Sequence, residues 1–144
     1  MQGLKRRVVY VALYELFAVV LSALVFAASS QHELASTTVL AVVTSLTAVT
    51  WNLIFNLMFE AWEARQSVKG RSVARRVAHA LGFEGGLGLF LIPLIAWWLD
   101  LGLWQALVLN LGLMVFFLIY TYVFAWSFDR AFGLPASALG SRNR

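Results

Sequence analysis

Four long apolar segments dominate the sequence, at residues 8–29, 36–59, 77–99 and 103–127. A helix crosses a hydrocarbon layer about 30 Å thick in about 20 residues, so each segment is long enough to span a membrane. None of them alternates polar with apolar residues, as a transmembrane strand does. Hydrophobic residues make up 61% of the chain and charged residues only 12%, which is typical of integral membrane proteins rather than soluble domains. The sequence therefore predicts an all-α membrane protein with four transmembrane helices.

The positively charged residues are confined to three places, and their distribution predicts the orientation in the membrane. All eleven lie in the N-terminal segment, the central loop or the C-terminal tail. The two hairpin tips, SQHELAS at residues 30–36 and LDLG at residues 99–102, contain no lysine or arginine. With four transmembrane helices, the three basic segments lie on the same side of the membrane. The positive-inside rule predicts that this side is cytoplasmic. Both termini are therefore expected in the cytoplasm, and the charge of +4 is expected to attract anionic lipid rather than nucleic acid.

The sequence matches itself at an offset of 69 residues, which places Glu15 on Glu84. Because each copy contains two crossings, the copies form two tandem helical hairpins of the same orientation. The expected organisation is a first transmembrane pair at 1–65, a cytoplasmic linker at 66–74, a second pair at 75–132 and a cytoplasmic tail at 133–144. The other matched positions pair Arg6 and Arg7 with Arg75 and Arg76, Tyr14 with Phe83, Trp51 with Tyr120, Phe55 with Phe124, Phe59 with Phe128, and Glu60 with Asp129.

Glu15 and Glu84 lie inside the first and third apolar segments, roughly 10 Å from the cytoplasmic ends of the helices. A charged carboxylate at that depth is disfavoured unless it is paired, hydrated or neutralised by a proton. The apolar segments contain no lysine or arginine, and their one basic side chain is His79. A carboxyl group that is neutral in the membrane can exchange its proton for a cation. We therefore expect Glu15 and Glu84 to bind protons and cations; the alternative is that both acids only hold helices together.

Amide and aromatic side chains on the second and fourth segments are candidates for lining a substrate cavity. Asn52 and Asn56 are one turn apart and share a helix face. Aromatic rings beside a carboxylate favour a lipophilic cation, through apolar contact and cation–π attraction. Hydrogen bonding and packing between helices is the alternative. The candidates are Trp51, Asn52, Phe55, Asn56, Tyr120, Phe124 and Trp126.

Four charged residues at the cytoplasmic helix ends form a second candidate group. Glu60 and Asp129 end helices where the helix dipole disfavours an anion, and Arg7 and Arg76 begin helices where it disfavours a cation. If each acid pairs with a base across the hairpins, the unfavourable interaction of each charge with the helix dipole is compensated. We expect these residues to form a structural clamp; a cytoplasmic gate for protons or cations is the alternative.

The third apolar segment contains a histidine and a pair of glycines in addition to Glu84. His79 is a candidate proton relay, with a role in helix contact as the alternative. Gly82 and Gly86 form a small-xxx-small pair that is expected to let another helix backbone approach closely.

The chain has no cysteine, which excludes thiolate metal sites and cysteine nucleophiles. No metal and no cofactor are expected, and the proton is the expected coupling ion.

The ordered motifs resemble those of the proteobacterial antimicrobial compound efflux (PACE) family, small proton-driven exporters made of two tandem transmembrane pairs. In the first helix Arg7 and Glu15 fit the family pattern, whereas Tyr10, Val11 and Tyr14 replace its histidine, alanine and phenylalanine. R-x-x-H-A-x-x-F-E is met by Arg76, His79, Ala80, Phe83 and Glu84; W-N-x-x-F-N-x-x-F-[DE] by Trp51, Asn52, Phe55, Asn56, Phe59 and Glu60; and Y-x-x-x-F-N-W-x-Y-D by Tyr120, Phe124, Trp126 and Asp129, with Ala125 and Phe128 as departures.

The resemblance implies a bacterial inner-membrane antiporter that is not an enzyme. It implies export of hydrophobic cations such as chlorhexidine, acridine dyes and quaternary ammonium biocides, with short diamines as further substrates, and a central role for Glu15. Four helices are few for enclosing a bulky drug, so a homo-oligomer, with a dimer favoured, is expected alongside lipid and lipophilic cations as partners. The rival hypotheses are a non-transporting membrane scaffold or accessory subunit, and a passive cation pore.

Overall fold

The computed structural model describes residues 3–68, 70 and 72–134, and these fold into four α-helices. Each helix is long and apolar enough to cross a membrane, which confirms the predicted all-α class with four spans. Of the basic residues, Lys69, Arg71, Arg142 and Arg144 lie outside the described residues, as does most of the predicted tail. The helices are α1 (Gly3–Ala28), α2 (Leu34–Ala64), α3 (Val73–Trp98) and α4 (Leu103–Phe132).

The helices are longer than the apolar segments, and the extra turns lie at the ends that carry the charged residues. α1 begins at Gly3, before the arginines, and α2 continues to Ala64, past Glu60. α4 likewise continues past Asp129 to Phe132. Hydropathy identifies only the part of a helix that lies in the hydrocarbon layer. Arginine, lysine and glutamate have high helix propensity, so the helix continues through them into the membrane interface. The charged residues at these ends therefore stand on continuous helix rather than on loops.

Each helix packs against the next along the chain, and α4 also meets α1 across the smallest of the interfaces. The buried core is displaced toward the two short loops, which follow α1 and α3. Four of its members are alanines, whose small side chains let helices approach closely. The core consists of Ala23, Phe26, Leu40, Ala41, Leu91, Ile95, Ala96, Leu99, Ala106 and Leu113.

Polar contacts tie the short-loop end together. Trp98 Nε1 donates a hydrogen bond to Ser36 Oγ at 3.0 Å, which joins the end of α3 to the start of α2. His32 Nε2 lies 3.4 Å from Asp100 Oδ2, so the loop after α1 meets the loop after α3. With the alanine-rich core beneath them, these contacts close one end of the bundle. The interior space lies farther along the helices.

Candidate functional site

A cavity of about 930 Å³ lies between the four helices. Its wall is mostly apolar, and the core residues Phe26 and Ile95 line it near the short-loop end. Glu15 of α1 and Glu84 of α3 both line it as well. The fold therefore brings the two acids from different repeats to one space. The polar residues that share the wall are Ser22, Thr44, Ser45, Asn110 and Thr121.

The Glu15 carboxylate is held by a hydroxyl group from the neighbouring helix. Ser45 Oγ on α2 donates to Glu15 Oε2 at 2.6 Å, and both residues are half-buried. A hydrogen bond to a carboxylate is short and strong, and it satisfies an oxygen that an apolar wall leaves without water. The second carboxylate oxygen takes no part in this bond.

Glu84 is the more exposed of the two acids and has a different neighbour. At the offset of 69 residues, Met114 of α4 is the counterpart of Ser45, and it lines the same cavity. A methionine thioether has no hydrogen-bond donor. Within the described residues, no hydrogen bond or ion pair reaches the Glu84 carboxylate. The two acids thus have equivalent places in the repeat and unequal surroundings.

Two hydrogen bonds between the repeats are copies of each other. Trp51 Nε1 on α2 donates to the carbonyl oxygen of Phe83 on α3 at 2.9 Å. Its counterpart Tyr120 on α4 donates through its hydroxyl to the carbonyl oxygen of Tyr14 on α1, also at 2.9 Å. Each acceptor is the residue immediately before a cavity glutamate. The aromatic donors therefore fix the stretch of backbone from which each acid projects.

The aromatic packing around these bonds repeats as well, so the α2–α3 and α4–α1 interfaces share one pattern of ring contacts. Tyr10 occupies the place in the first repeat that His79 occupies in the second. The matched separations of ring centroids are 5.1 Å for Phe55 and His79 against 5.2 Å for Phe124 and Tyr10, and 4.7 Å for Phe59 and His79 against 5.0 Å for Phe128 and Tyr10.

The seven amide and aromatic candidates do not line the cavity that holds Glu15 and Glu84, contrary to the expectation from the sequence. Trp51 and Phe55 are turned into the α2–α3 interface, and Tyr120 and Phe124 into the α4–α1 interface. There they lie nearer the charged helix ends than the cavity. The rings that line the cavity belong instead to Tyr14, Phe26, Phe83, Phe117 and Tyr122.

The outermost of these candidates, Trp126, is exposed on α4, and the guanidinium carbon of Arg130 lies 5.6 Å from its ring centroid. An exposed indole beside an arginine near the end of a membrane helix is typical of the membrane interface. Trp126 therefore faces the surroundings of the bundle and not its interior.

Two glycines of α3, Gly82 and Gly86, receive aromatic side chains and not the backbone of another helix. A Cβ at Gly86 would lie 2.9 Å from Trp51 Cε2 and closer still to Cζ2. A Cβ at Gly82 would lie 3.0 Å from Phe55 Cζ. Small residues are required at these two positions because rings of α2 occupy the space that a side chain would fill. The expectation that another helix backbone approaches closely at Gly82 and Gly86 is therefore wrong, because aromatic side chains take that place.

His79 belongs to a polar chain with the two asparagines of α2. His79 Nε2 donates to Asn56 Oδ1 at 3.0 Å, because an amide oxygen only accepts. Asn56 Nδ2 donates in turn to the backbone oxygen and to Oδ1 of Asn52, both at 2.8 Å. The interface between α4 and α1 has Tyr10, Ala125 and Thr121 at the corresponding positions. The polar chain is therefore a feature of the α2–α3 interface only, within the described residues.

Arg6, and not Arg7, pairs with Asp129. Arg6 Nη2 forms a salt bridge with Asp129 Oδ1 and donates to the carbonyl oxygen of Gly133 at 2.9 Å. The side chain of Arg6 is 11% exposed, whereas Arg7 is exposed. Arg6 shares a face of α1 with Tyr10, toward α4, and Arg7 is rotated away from that face by about 100°. The clamp predicted for Arg7 thus falls to Arg6, and it joins α1 to α4 instead of closing a hairpin.

The interface between α2 and α3 has no copy of this bridge in the described part of the chain. Arg75 is the counterpart of Arg6, but its guanidinium donates to the carbonyl oxygens of Gly70 and Val68, each at 2.8 Å. Glu60 and Arg76 are both exposed. The arginine of the second repeat is therefore directed into the linker, which exists only between the repeats.

Sequence reasoning missed two residues of this site, Ser45 and Arg6. A serine in the middle of an apolar helix was the available signal for Ser45, since a buried hydroxyl needs a partner. For Arg6 the signal was its helical phase, because Arg6, Tyr10 and Tyr14 recur every four residues. Both signals become specific only when the neighbouring helix is known.

Comparison with known proteins places the chain in a transporter family. The family model described as chlorhexidine efflux transporter matches residues 2–65 and 71–134, as two segments. A protein of Acinetobacter baylyi named short-chain diamines transporter is 40% identical over 125 residues, which are 87% of this chain and 88% of that protein. A protein of the same name from Vibrio parahaemolyticus is 45% identical over 86 residues, 60% of this chain and 61% of that protein. No solved structure matches the chain.

The family model covers most of the chain in two repeats, and the sequence motifs fall within the matched segments. The names of the family and of the relatives describe transporters, not enzymes. Together with four helices that are able to cross a membrane, they indicate a multi-pass protein of the bacterial inner membrane. The chain belongs to the chlorhexidine efflux transporter family, and the resemblance to the PACE exporters is confirmed.

Proposed function

We propose that the protein is a proton-coupled antiporter that exports lipophilic cations, among them dications such as chlorhexidine and short-chain diamines. The observation that carries the proposal is that Glu15 and Glu84, from different repeats, line one apolar cavity of about 930 Å³. That volume lies within the range of sites for drug-sized ligands, about 300–1,000 Å³. A single chain therefore offers enough space for one guest.

The chemistry of exchange follows from the wall of the cavity. A carboxylate among apolar side chains is stable when it holds a proton or a cation, and unstable when it holds neither. Proton and guest therefore compete for the same oxygens, and loading of one releases the other. Rings of Tyr14, Phe83 and Phe117 on the wall add apolar contact and cation–π attraction for an organic cation.

Two acids facing one cavity favour a guest with two positive charges. One ammonium or biguanide group can face Glu15 while the other faces Glu84, so that neither carboxylate remains uncompensated. The relatives from Acinetobacter and Vibrio are named for short-chain diamines, which are guests of this kind. Acridine dyes and quaternary ammonium biocides would use one acid and leave the other protonated.

The orientation proposed from the basic residues places both termini and the linker in the cytoplasm, with two hairpins of the same direction. The guest then loads from the cytoplasm or the inner leaflet, and protons return from outside. Each proton that moves inward supplies about 2.3 kcal/mol per 100 mV of membrane potential. Lipid and a second copy of the chain, in a dimer, remain the proposed partners outside the cavity.

Proton release on binding tests the mechanism. Detergent-solubilised protein in weak buffer is expected to release protons when chlorhexidine or 1,5-diaminopentane is added, as reported by a pH-sensitive dye. Glu15→Gln is expected to abolish the release, and Glu84→Gln to weaken binding of these dications more than binding of tetraphenylphosphonium. Glu33→Gln, in the exposed loop before α2, is the matched control and is expected to behave as the wild type.

Transport in proteoliposomes separates the proposal from its rivals. Continued pH-dependent efflux by Glu15→Gln would refute the antiporter mechanism. A scaffold predicts that both glutamine variants lower thermal stability and leave export unaffected. A passive pore predicts cation flux without a proton gradient.

A further inference from the structure

The two cavity acids differ in one neighbour, and that neighbour is set by the repeat. Ser45 on α2 donates to Glu15 Oε2 at 2.6 Å. Met114, which stands at the same place in the second repeat, lines the cavity without a donor for Glu84. The duplicated chain has thus kept the acid in both copies and a hydroxyl beside only one.

We infer that Ser45 is a positioning residue that makes Glu15 a fixed anchor for one charge of a dication, while Glu84 is the adjustable anchor for the other. The pair Ser45 and Met114 then sets how much variation in charge spacing the site tolerates. The inference rests on the proposed function, because it concerns how the same two acids divide the binding of one guest.

The fixed anchor follows from the geometry of the hydrogen bond. A glutamate side chain has three rotatable torsions, and much of that freedom is lost when one carboxylate oxygen is bonded to a group on a rigid helix. The Ser45 hydroxyl is one bond from a Cβ on α2, so its position varies little. With Oε2 held, the other oxygen of Glu15 presents a defined point to the cavity.

Three of the other hydroxyl groups on the wall are engaged elsewhere, and within the described residues those of Ser22 and Tyr122 make no hydrogen bond to a carboxylate. Thr44 Oγ1 donates to the carbonyl oxygen of Ala41 at 3.0 Å. The hydroxyls of Tyr14 and Thr121 are 2.8 Å apart and bonded to each other. In the part of the chain that the structure describes, Ser45 is therefore the hydroxyl that reaches a cavity carboxylate.

The adjustable anchor follows from the surroundings of Glu84. Glu84 is exposed, and Met114 stands where its repeat would have the equivalent of Ser45. The methionine side chain is flexible and does not hold the carboxylate in one direction. The torsions of Glu84 remain available, so the carboxylate is able to follow a second ammonium group over a range of distances. A site with one fixed and one movable acid accepts dications of several lengths.

A series of α,ω-diamines with three to eight methylene groups tests the inference by calorimetric titration of the purified protein. The wild type is expected to show a broad optimum of affinity against length. Ser45→Ala is expected to weaken the best diamine by about threefold to tenfold and to flatten the profile further, because the Glu15 side chain must then be ordered when the diamine binds. Ser45→Thr keeps the hydroxyl and is expected to restore the wild-type profile.

Met114→Ser is the complementary variant, and it introduces at α4 the donor that α2 already has. With both acids fixed, the profile is expected to sharpen, so that diamines two methylene groups from the optimum lose at least about threefold relative to the best one. Met114→Leu removes the thioether without adding a donor and is expected to match the wild type. A merely structural role of Ser45 would change all affinities alike and leave the profile of lengths unaltered.

The outcomes distinguish the inference from the function on which it rests. If the wild type binds diamines and both Ser45→Ala and Met114→Ser keep its length profile within twofold, the inference is overturned. If Ser45→Ala fails to fold, an unchanged profile in Met114→Ser overturns it alone. If the wild type binds no diamine, or Glu15→Gln binds as well as the wild type, the proposed function itself fails.

Discussion

At the scale of single residues, two adjacent arginines differ in role because of the direction in which each leaves α1. Arg6 is nearly buried and bonds to Asp129 and to the backbone of Gly133, whereas its neighbour Arg7 is exposed. The same chemical group thus serves in one place as a link to α4 and in the other as a solvated or lipid-facing charge. An exposed charge of the second kind usually contributes little to stability.

Truncation of the two arginines is expected to have unequal effects. Arg6→Ala removes the partner of Asp129 and should lower the free energy of unfolding by about 1–3 kcal/mol, the usual cost of losing a hydrogen bond to a charged group. Arg7→Ala should change it by less than about 0.5 kcal/mol. Thermal unfolding of both variants in detergent measures the difference. Equal destabilisation would contradict the assignment of the clamp to Arg6.

At the scale of helices, the interface between α2 and α3 depends on a large ring against a residue without a side chain. Trp51 lies over Gly86 and donates to the backbone of the same helix. In the other interface Tyr120 and Phe17 stand at the corresponding positions, and Tyr120 keeps the hydrogen bond to the neighbouring helix. The contact of a ring with a glycine at this position therefore belongs to the α2–α3 interface.

The complementarity of ring and glycine gives a stability prediction. Gly86→Ala would overlap the Trp51 ring, and overpacking of this kind costs about 1–3 kcal/mol. Gly85→Ala is the matched control, because no atom lies within 4 Å of a Cβ built there. Thermal unfolding should show a loss for the first variant and none for the second.

A second substitution examines the cause of that loss. Addition of Trp51→Tyr to Gly86→Ala should recover part of the stability, since the smaller ring leaves room for the new methyl group. No recovery in the double variant would mean that the ring is not the obstacle.

At the scale of the whole molecule, the chain is tightly packed near the short loops and holds Glu15, Glu84, the repeated aromatic contacts and the Arg6–Asp129 ion pair farther along the helices. The alanine-rich core and the contacts between the loops close one end. In both the α2–α3 and the α4–α1 interface, an aromatic side chain donates to the backbone immediately before a cavity glutamate. The sequence repeat accounts for this arrangement, because each copy contributes one acid to the cavity and one aromatic donor to the backbone of the other copy.

The proposed orientation is testable on a chain that has no natural cysteine. Single cysteines at Gln31, in the loop after α1, and at Ser67, in the linker, are exposed positions on opposite sides of the proposed membrane. A membrane-impermeant maleimide on intact cells should label Gln31→Cys at once and Ser67→Cys only after permeabilisation. The reverse pattern would place the termini outside and reverse the transport direction.

Much of the architecture was readable from the sequence, because it depends on quantities summed along a segment. The length and apolarity of each segment determined four helices, and the offset of 69 residues determined that Glu15 and Glu84 occupy equivalent positions in the repeat. The helix ends were less accurate, since helical hydrogen bonding continues beyond the hydrocarbon into charged residues such as Glu60.

Only the tertiary structure decided how those helices are rotated and which side chains they bring together. It turned the rings of Trp51 and Tyr120 away from the cavity, placed Ser45 on Glu15, and selected Arg6 over Arg7 for Asp129. Hydropathy is a property of a single segment, whereas rotation about a helix axis is set by the packing of all four. A membrane helix that is apolar on every side carries little record of that rotation in its own sequence.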